Sequence, residues 1–157
     1  MGQQVSTRAA QAIYGRFCTL YPAAVPTPAL VLASATDTLR GCGLSERKAH
    51  YVRHLAEQFH NGVLSHLDLD RLTDEEVIAQ LTQIKGVGCW TAQMFLIFAL
   101  HRPDVLPVDD LGLKKAVQLH YGFDHLPTVN ELQTVALVWQ PYRSVATWYL
   151  WRSLDVR

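Results

Sequence analysis

The chain has 157 residues, of which 49% are hydrophobic and 18% are charged, and its 14 basic side chains are balanced by 14 acidic ones. This length allows one globular domain, and the longest apolar run (94–100) is too short to span a membrane, so we expect a cytoplasmic protein without a membrane anchor. The net charge of zero argues against a broad basic surface for nucleic acid, but it leaves room for a small site in which backbone amides hold one or two phosphates.

Capping residues and apolar periodicity divide the first half of the chain into helices. Ser6 predicts the start of a helix that runs to about residue 20. The pair Thr27 and Pro28 predicts a second, short helix, because proline is favoured at the first helical position. A further short helical segment follows from Thr36. Ser45 then caps a long predicted helix that ends near residue 61.

The second half of the chain shows the same organisation. Two Thr-x-x-Glu patterns, which begin at Thr73 and Thr128, are capping boxes at predicted helix starts. Apolar and capping patterns predict the remaining helices over residues 91–100, from 109 or 110 to 121, and 142–154. No stretch alternates as a strand does. The sequence therefore predicts an all-α fold of about eight helices.

The cysteines Cys18, Cys42 and Cys89 are odd in number and have no Cys-x-x-Cys spacing. This pattern predicts neither a disulfide framework nor a zinc or iron–sulfur site. We expect all three to be buried, reduced thiols.

A Gly-x-Gly turn joins two of the predicted helices, in the segment from Ile84 to Ala92. Gly86 and Gly88 can adopt positive φ and let the backbone come close to a ligand, while Val87 between them can pack inward. The free N–H groups and the positive dipole end of the following helix face the same place. The turn can therefore hold a phosphate without net positive charge, although an ordinary tight turn between helices is the alternative at this point.

Two adjacent acids, Asp109 and Asp110, stand where the next helix begins. Either can serve as its N-cap. A carboxylate that projects into a cleft could instead stabilise a positively charged sugar and orient or deprotonate an attacking water. The two acids can divide these tasks, with Asp109 as the cap and Asp110 as the reacting group, but the residues alone do not decide between them.

Together, the segments 86–92 and 107–110 resemble the helix-hairpin-helix/Gly-Pro-Asp superfamily of DNA glycosylases, and within it the alkylation-repair enzymes of the 3-methyladenine DNA glycosylase II type. Residues 2–6, residues 141–144 and Trp151 extend the resemblance over almost the whole chain. The resemblance implies two helical subdomains with the active-site cleft between them. It places them roughly at residues 1–102, with the hairpin at 84–90, and 103–157, within one catalytic domain (1–157).

The resemblance also implies roles for individual residues. Asp110 matches the catalytic aspartate, with Asp109 as a capping or supporting residue, and Trp90, Trp151 and Met94 match the pocket for the flipped base. The DNA-binding positions are Gln4, which matches a wedge residue, and the hairpin residues Gly86, Val87, Gly88 and Thr91. The backbone carbonyls of Thr82, Ile84 and Val87 match those that hold a monovalent cation, Na⁺ or K⁺.

Two differences from other members of the superfamily limit the reactions and cofactors that the resemblance implies. Superfamily members with lyase activity carry a lysine where Trp90 stands, and the iron–sulfur members carry a four-cysteine loop that this sequence lacks. The resemblance thus implies a monofunctional glycosylase without an iron–sulfur cluster or a required cofactor. It would flip alkylated purines such as 3-methyladenine out of damaged double-stranded DNA in base excision repair and remove them by aspartate-assisted attack of water. No obligate protein partner is evident, and in a bacterium the enzyme would work at the nucleoid.

Two alternatives stay open beside this interpretation. The chain could be a non-catalytic helix-hairpin-helix DNA-binding module, or a mismatch glycosylase that acts on uracil or thymine. A further expectation concerns the N-terminus, because relatives run an apolar helix into the motif at residues 2–6. We expect this chain to be an N-terminally shortened form, with an exposed apolar groove that limits its stability.

Overall fold

The structure, a computed structural model, describes residues 7–64 and 69–155, and within these ranges it is helical with no β-strand. The all-α prediction is therefore confirmed for the described residues. Two short 3₁₀ turns occur, at Pro22–Ala24 and Ala136–Trp139. Nine α-helices are described: α1 (Thr7–Thr19), α2 (Pro28–Ala33), α3 (Thr36–Gly41), α4 (Glu46–His60), α5 (Asp74–Thr82), α6 (Cys89–Phe98), α7 (Leu111–Tyr121), α8 (Val129–Val135) and α9 (Arg143–Leu154).

Several helices begin where a side-chain oxygen accepts from a free backbone N–H group. Ser45 Oγ accepts from Lys48 N at 3.3 Å at the start of α4. Both predicted capping boxes form, and in the second the Thr128 hydroxyl accepts from Glu131 N at 3.3 Å while Glu131 accepts from Thr128 N at 2.8 Å. Each such cap contributes about 1 kcal/mol, so local chemistry alone sets these boundaries.

The chain divides into two compact units: residues 1–71 with 83–86, and residues 72–82 with 87–157. This division lies earlier in the chain than the boundary near residue 102 that the resemblance implied. The reason lies in unit 2, where Arg102 donates to the carbonyl of Leu72 at 2.8 Å and pairs with Asp74 at 3.6 Å. These contacts hold α5 and the segment after α6 in the same unit.

The first unit has its own core, in which α2 and α3 pack on α4. Leu39 and Ala49 are fully buried there, and Phe17 meets Tyr21 edge-on at 5.3 Å. An apolar groove of about 550 Å³ also lies in this unit, between α1, α2 and α4, and its lining includes Tyr14, Phe17, Val52, Leu55 and Phe59.

The second unit packs α7 against α9 and α5 against α6. Its core includes Leu113, Val117 and Leu132, all fully buried. This packing fixes the start of α7, which the acidic pair directly precedes, relative to α9. None of the described helices is long and apolar enough to cross a membrane.

Candidate active site

Asp110 is the N-cap of α7, and its side chain is buried, with 8% of its surface exposed. Its Oδ1 accepts from the backbone N–H of Leu113 at 2.6 Å. The capping role predicted for Asp109 is wrong, because Asp109 lies exposed in the preceding turn and Asp110 itself supplies the cap. Asp110 is therefore both the N-cap of α7 and a buried carboxylate.

Two tryptophans donate to the same carboxylate. Trp90, in the first turn of α6, donates from Nε1 to Asp110 Oδ2 at 2.6 Å. Trp151, in the last turns of α9, donates from Nε1 to Asp110 Oδ1 at 2.8 Å. The structure therefore brings together three of the predicted site residues. Trp90 and Trp151 contact Asp110 through their indole N–H groups.

The partners of Asp110 define the chemistry available to it. All three are N–H groups that can only donate, so both oxygens of the carboxyl group act as hydrogen-bond acceptors. Among the described residues no ion pair involves Asp110. The site therefore presents a buried carboxylate that no cation among the described residues pairs with, which suits the stabilisation of a positively charged reacting group.

An aromatic stack adjoins this carboxylate. Phe98, at the end of α6, stacks on Trp151 with ring centroids 6.1 Å apart and an angle of 21° between the planes. Phe98 is 55% exposed, although it is a large apolar residue. The sequence analysis did not assign Phe98 to the site, yet its position two helical turns after Trp90 on the same helix was a usable signal. Met94, between them on α6, is half-buried.

The loop that leads to Asp110 is tied to the start of α9. Ser144 Oγ donates to the carbonyl of Arg102 at 2.7 Å and accepts from Val105 N at 2.9 Å. Asp104 accepts from the backbone N of Arg143 at 3.1 Å and from its guanidinium at 2.7 and 2.9 Å. The hydrogen bonds and charge of Arg143 hold the pKa of Asp104 below its usual value. This network explains the Arg-Ser pair that begins α9.

The predicted hairpin turn connects α5 to α6. Gly86 has φ +88°, and a Cβ built there would lie 2.0 Å from Cδ2 of Tyr51, so only glycine fits against this ring. Gly88 differs from the expectation of positive φ, because it is extended at φ −94° and forms the N-cap of α6. Gly88 supplies no side-chain cap to α6, and the backbone N–H groups at the start of a helix are a usual place for an anion to bind.

The other predicted hairpin residues occupy varied environments. Ile84 is buried, Val87 and Thr91 are half-buried, and the exposed Thr82 donates its hydroxyl to the carbonyl of Ile78 at 2.8 Å. Gln4 lies outside the described residues. Of the cysteines, Cys42 is buried as expected, but Cys89 is exposed because it begins α6 at the hairpin. The described residues contain no cluster of three or more His, Cys, Asp or Glu that could hold a metal.

Comparison with protein families and curated proteins gives a consistent result. The family described as HhH-GPD superfamily base excision DNA repair protein matches residues 1–141. DNA-3-methyladenine glycosylase 1 of Schizosaccharomyces pombe is 36% identical over 153 residues, which cover 96% of this chain and 67% of that protein.

Solved structures agree with the sequence comparison. The 3-methyladenine DNA glycosylase of Schizosaccharomyces pombe in complex with abasic DNA matches with a TM-score of 0.92 and 35% identity, over 98% of this chain and 76% of that one. A DNA-3-methyladenine glycosidase from Bacillus halodurans matches with a TM-score of 0.85 and 39% identity, over 99% and 71% of the two chains. The predicted helix-hairpin-helix glycosylase fold is thereby confirmed.

Proposed function

Because this chain belongs to the HhH-GPD superfamily of base excision DNA repair proteins, we propose that it is a DNA glycosylase that removes alkylated purines, such as 3-methyladenine, from double-stranded DNA. Relatives over most of the chain carry the name DNA-3-methyladenine glycosylase. The proposed enzyme acts in base excision repair, in the cytoplasm, and at the nucleoid if the source is a bacterium.

The observation that carries this proposal is the buried carboxylate of Asp110, which forms no ion pair with any residue that the structure describes. Breaking the bond between a base and its deoxyribose develops positive charge on the sugar. A fixed negative charge in a site of low dielectric stabilises that charge far more than it would in water. Asp110 is held by three N–H donors and by no described cation, so its charge is available to the sugar.

The aromatic side chains supply the second part of the mechanism. The target base must leave the duplex, at a cost of a few kcal/mol. Trp90, Trp151 and Met94 remain the proposed pocket for it, and the exposed ring of Phe98 stacks on Trp151. Alkylation leaves a purine cationic or electron-poor, and aromatic faces attract such a base by about 0.5–2 kcal/mol. Because an alkylated base is also a good leaving group, one carboxylate is sufficient for catalysis.

We propose water as the nucleophile, so that the product is an intact abasic site. A lyase needs a lysine amine to form a Schiff base with the sugar. Trp90, which stands where the lyases of this superfamily carry that lysine, offers only an indole N–H, and it donates to Asp110. Asp110 then has the tasks of stabilising the sugar and orienting or deprotonating the water.

The hairpin is the proposed DNA grip. Gly86, Val87, Gly88 and Thr91 lie at or beside the start of α6, where backbone N–H groups can hold a DNA phosphate whatever the base sequence. Carbonyl oxygens suit a monovalent cation, so those of Thr82, Ile84 and Val87 would hold Na⁺ or K⁺ there. Such an ion would supply positive charge to the phosphate.

A base-release assay separates this function from its alternatives. The protein is incubated with duplexes that contain 3-methyladenine, a U·G or T·G mismatch, or no lesion, and the free bases are measured. We expect release of the alkylated purine and no release by Asp110→Asn. Release from the mismatches alone would indicate a mismatch glycosylase. Binding of an abasic-site duplex without release from any substrate would indicate a non-catalytic DNA-binding module.

A further inference from the structure

We propose that Trp90 and Trp151 are positioning residues that act on Asp110 through their indole N–H groups, in addition to any contact of their rings with a base. The inference rests on the proposed function for its rate measurement. It goes beyond that function because it assigns a separate role to one atom of each indole. Loss of the N–H alone, with an aromatic ring retained, should then slow the reaction.

The first support is the geometry of the three donors. They come from three different helices: Trp90 from α6, Trp151 from α9 and the Leu113 N–H from α7. Trp151 and Leu113 reach Oδ1, whereas Trp90 reaches Oδ2. Donors on both oxygens fix the rotation of the carboxylate plane, which a backbone cap on one oxygen does not fix.

The second support is the space left beside these contacts by Gly112. A Cβ at this position would lie 3.1 Å from Asp110 Oδ1, 3.2 Å from Trp151 Cδ1 and 3.4 Å from Trp151 Nε1. A methyl group would therefore press on both partners of one hydrogen bond. Gly112 lies in the first turn of α7, where glycine otherwise costs stability relative to alanine. Its presence is explained if the Trp151–Asp110 contact needs the room.

The rate test removes the N–H and keeps a ring. We compare Trp90→Phe and Trp151→Phe with the matched control Trp139→Phe, which also loses an indole hydrogen bond, from Nε1 to Tyr121 Oη at 2.9 Å, but does not touch Asp110. For each variant we measure the single-turnover rate of 3-methyladenine release and the affinity for a duplex with an abasic-site analogue. We expect the rate to fall about 10- to 100-fold in the two site variants, the range for losing a hydrogen bond to a charged group. Binding should change less than threefold.

A second variant covers the possibility that a Trp→Phe protein fails to fold. Gly112→Ala should stay folded, because the gain in helix propensity offsets part of the cost of crowding Asp110 and Trp151. It should nevertheless release base more slowly. Its control is Gly15→Ala in α1, where a Cβ meets nothing within 4 Å. Gly15→Ala should keep the wild-type rate. Rates for Trp90→Phe, Trp151→Phe and Gly112→Ala equal to those of their controls would overturn the proposal.

A spectroscopic test does not depend on activity. In ¹⁵N-labelled protein each of the four tryptophans gives an indole N–H signal, and a bond to a carboxylate moves that signal downfield. We expect Asp110→Asn to move the signals of Trp90 and Trp151 and to leave those of Trp139 and Trp148 in place. If the wild type releases no base but these two signals move, the proposed function fails and the contact stands. If the signals do not move, the proposal fails whether or not the enzyme is active.

Discussion

Replacing the two hairpin glycines by alanine, one at a time, should have different effects. Gly86→Ala should mainly lower the stability of the fold, and Gly88→Ala should mainly weaken DNA binding. At Gly86, alanine must adopt a φ of +88°, which costs about 1–2 kcal/mol. Its Cβ would also lie 2.0–2.5 Å from three ring atoms of Tyr51, and moving a packed ring costs a further 1–3 kcal/mol or so. We therefore expect Gly86→Ala to lower the free energy of unfolding by about 2–5 kcal/mol, out of a total of about 5–15 kcal/mol.

Gly88→Ala is the matched control, in the same turn and with the same added methyl group. Gly88 has an ordinary φ of −94°, and a Cβ there meets nothing within 4 Å. The Gly88→Ala protein should therefore lose only about 1 kcal/mol, the usual cost of alanine at an N-cap, which is less than the loss expected for Gly86→Ala. The open space beside Gly88 is where a DNA phosphate would approach the start of α6, so this variant should bind DNA more weakly whatever the sequence.

Urea denaturation and fluorescence anisotropy with an abasic-site duplex measure the two effects. A double variant, Gly86→Ala with Tyr51→Ala, tests the contact itself, because removing the ring should make the Gly86 substitution less costly. Equal stability losses for Gly86→Ala and Gly88→Ala would refute the role of the Tyr51 contact. Unchanged DNA affinity in Gly88→Ala would refute the hairpin as the phosphate grip.

Three further predictions concern the acidic pair, the nucleophile and the Asp104–Arg143 ion pair. Asp110→Asn should abolish base release yet keep its fold, because asparagine caps a helix as well as aspartate does. Asp109→Asn should leave both activity and stability near wild type. If Asp109→Asn were inactive and Asp110→Asn active in the release assay, Asp109 would be the catalytic residue instead. Borohydride should trap no covalent adduct with DNA, because Trp90 replaces the lyase lysine, and an adduct that disappears on substitution of one lysine would contradict this. Arg143→Gln should cost about 1–2 kcal/mol at pH 7. Arg143 lowers the pKa of Asp104, so the contribution of the pair to stability is complete above the unfolded pKa near 4 and is lost as the pH falls through the lower pKa of the folded protein. A difference in denaturation midpoint between the wild type and Arg143→Gln that does not shrink as the pH is lowered would argue against this.

The helix boundaries could be predicted from the sequence because their causes are local. Ser45, Thr73 and Thr128 each form the predicted cap with an N–H three residues later. The same local chemistry failed at Asp109 and Asp110. Both acids stand before α7, and the choice between them depends on how the loop from Arg102 to Val105 is tied to α9, which sequence patterns do not contain.

The hydrogen bonds to Asp110 could not be predicted from the sequence, because they join residues that are far apart in the chain. Trp90 and Trp151 donate to Asp110 across 20 and 41 positions of the chain. Resemblance to the family placed both tryptophans near the base, but the direction of their N–H groups follows from the packing of α6 and α9. Gly112 could not be singled out for the same reason, since its role depends on where the Trp151 ring lies.

The hydrogen bonds of the buried Asp110 affect both the stability of the fold and the reactivity of its carboxylate. A buried carboxylate is costly unless it is paired, and proteins usually pair it with a cation. Here three neutral N–H groups and the positive end of α7 stabilise the charge instead. An arginine or lysine would stabilise the carboxylate too, but it would cancel the field that a positively charged sugar needs. Under the proposed function, neutral donors would stabilise the buried carboxylate in the folded protein and leave its charge to act on the sugar, which would explain tryptophan at these two positions.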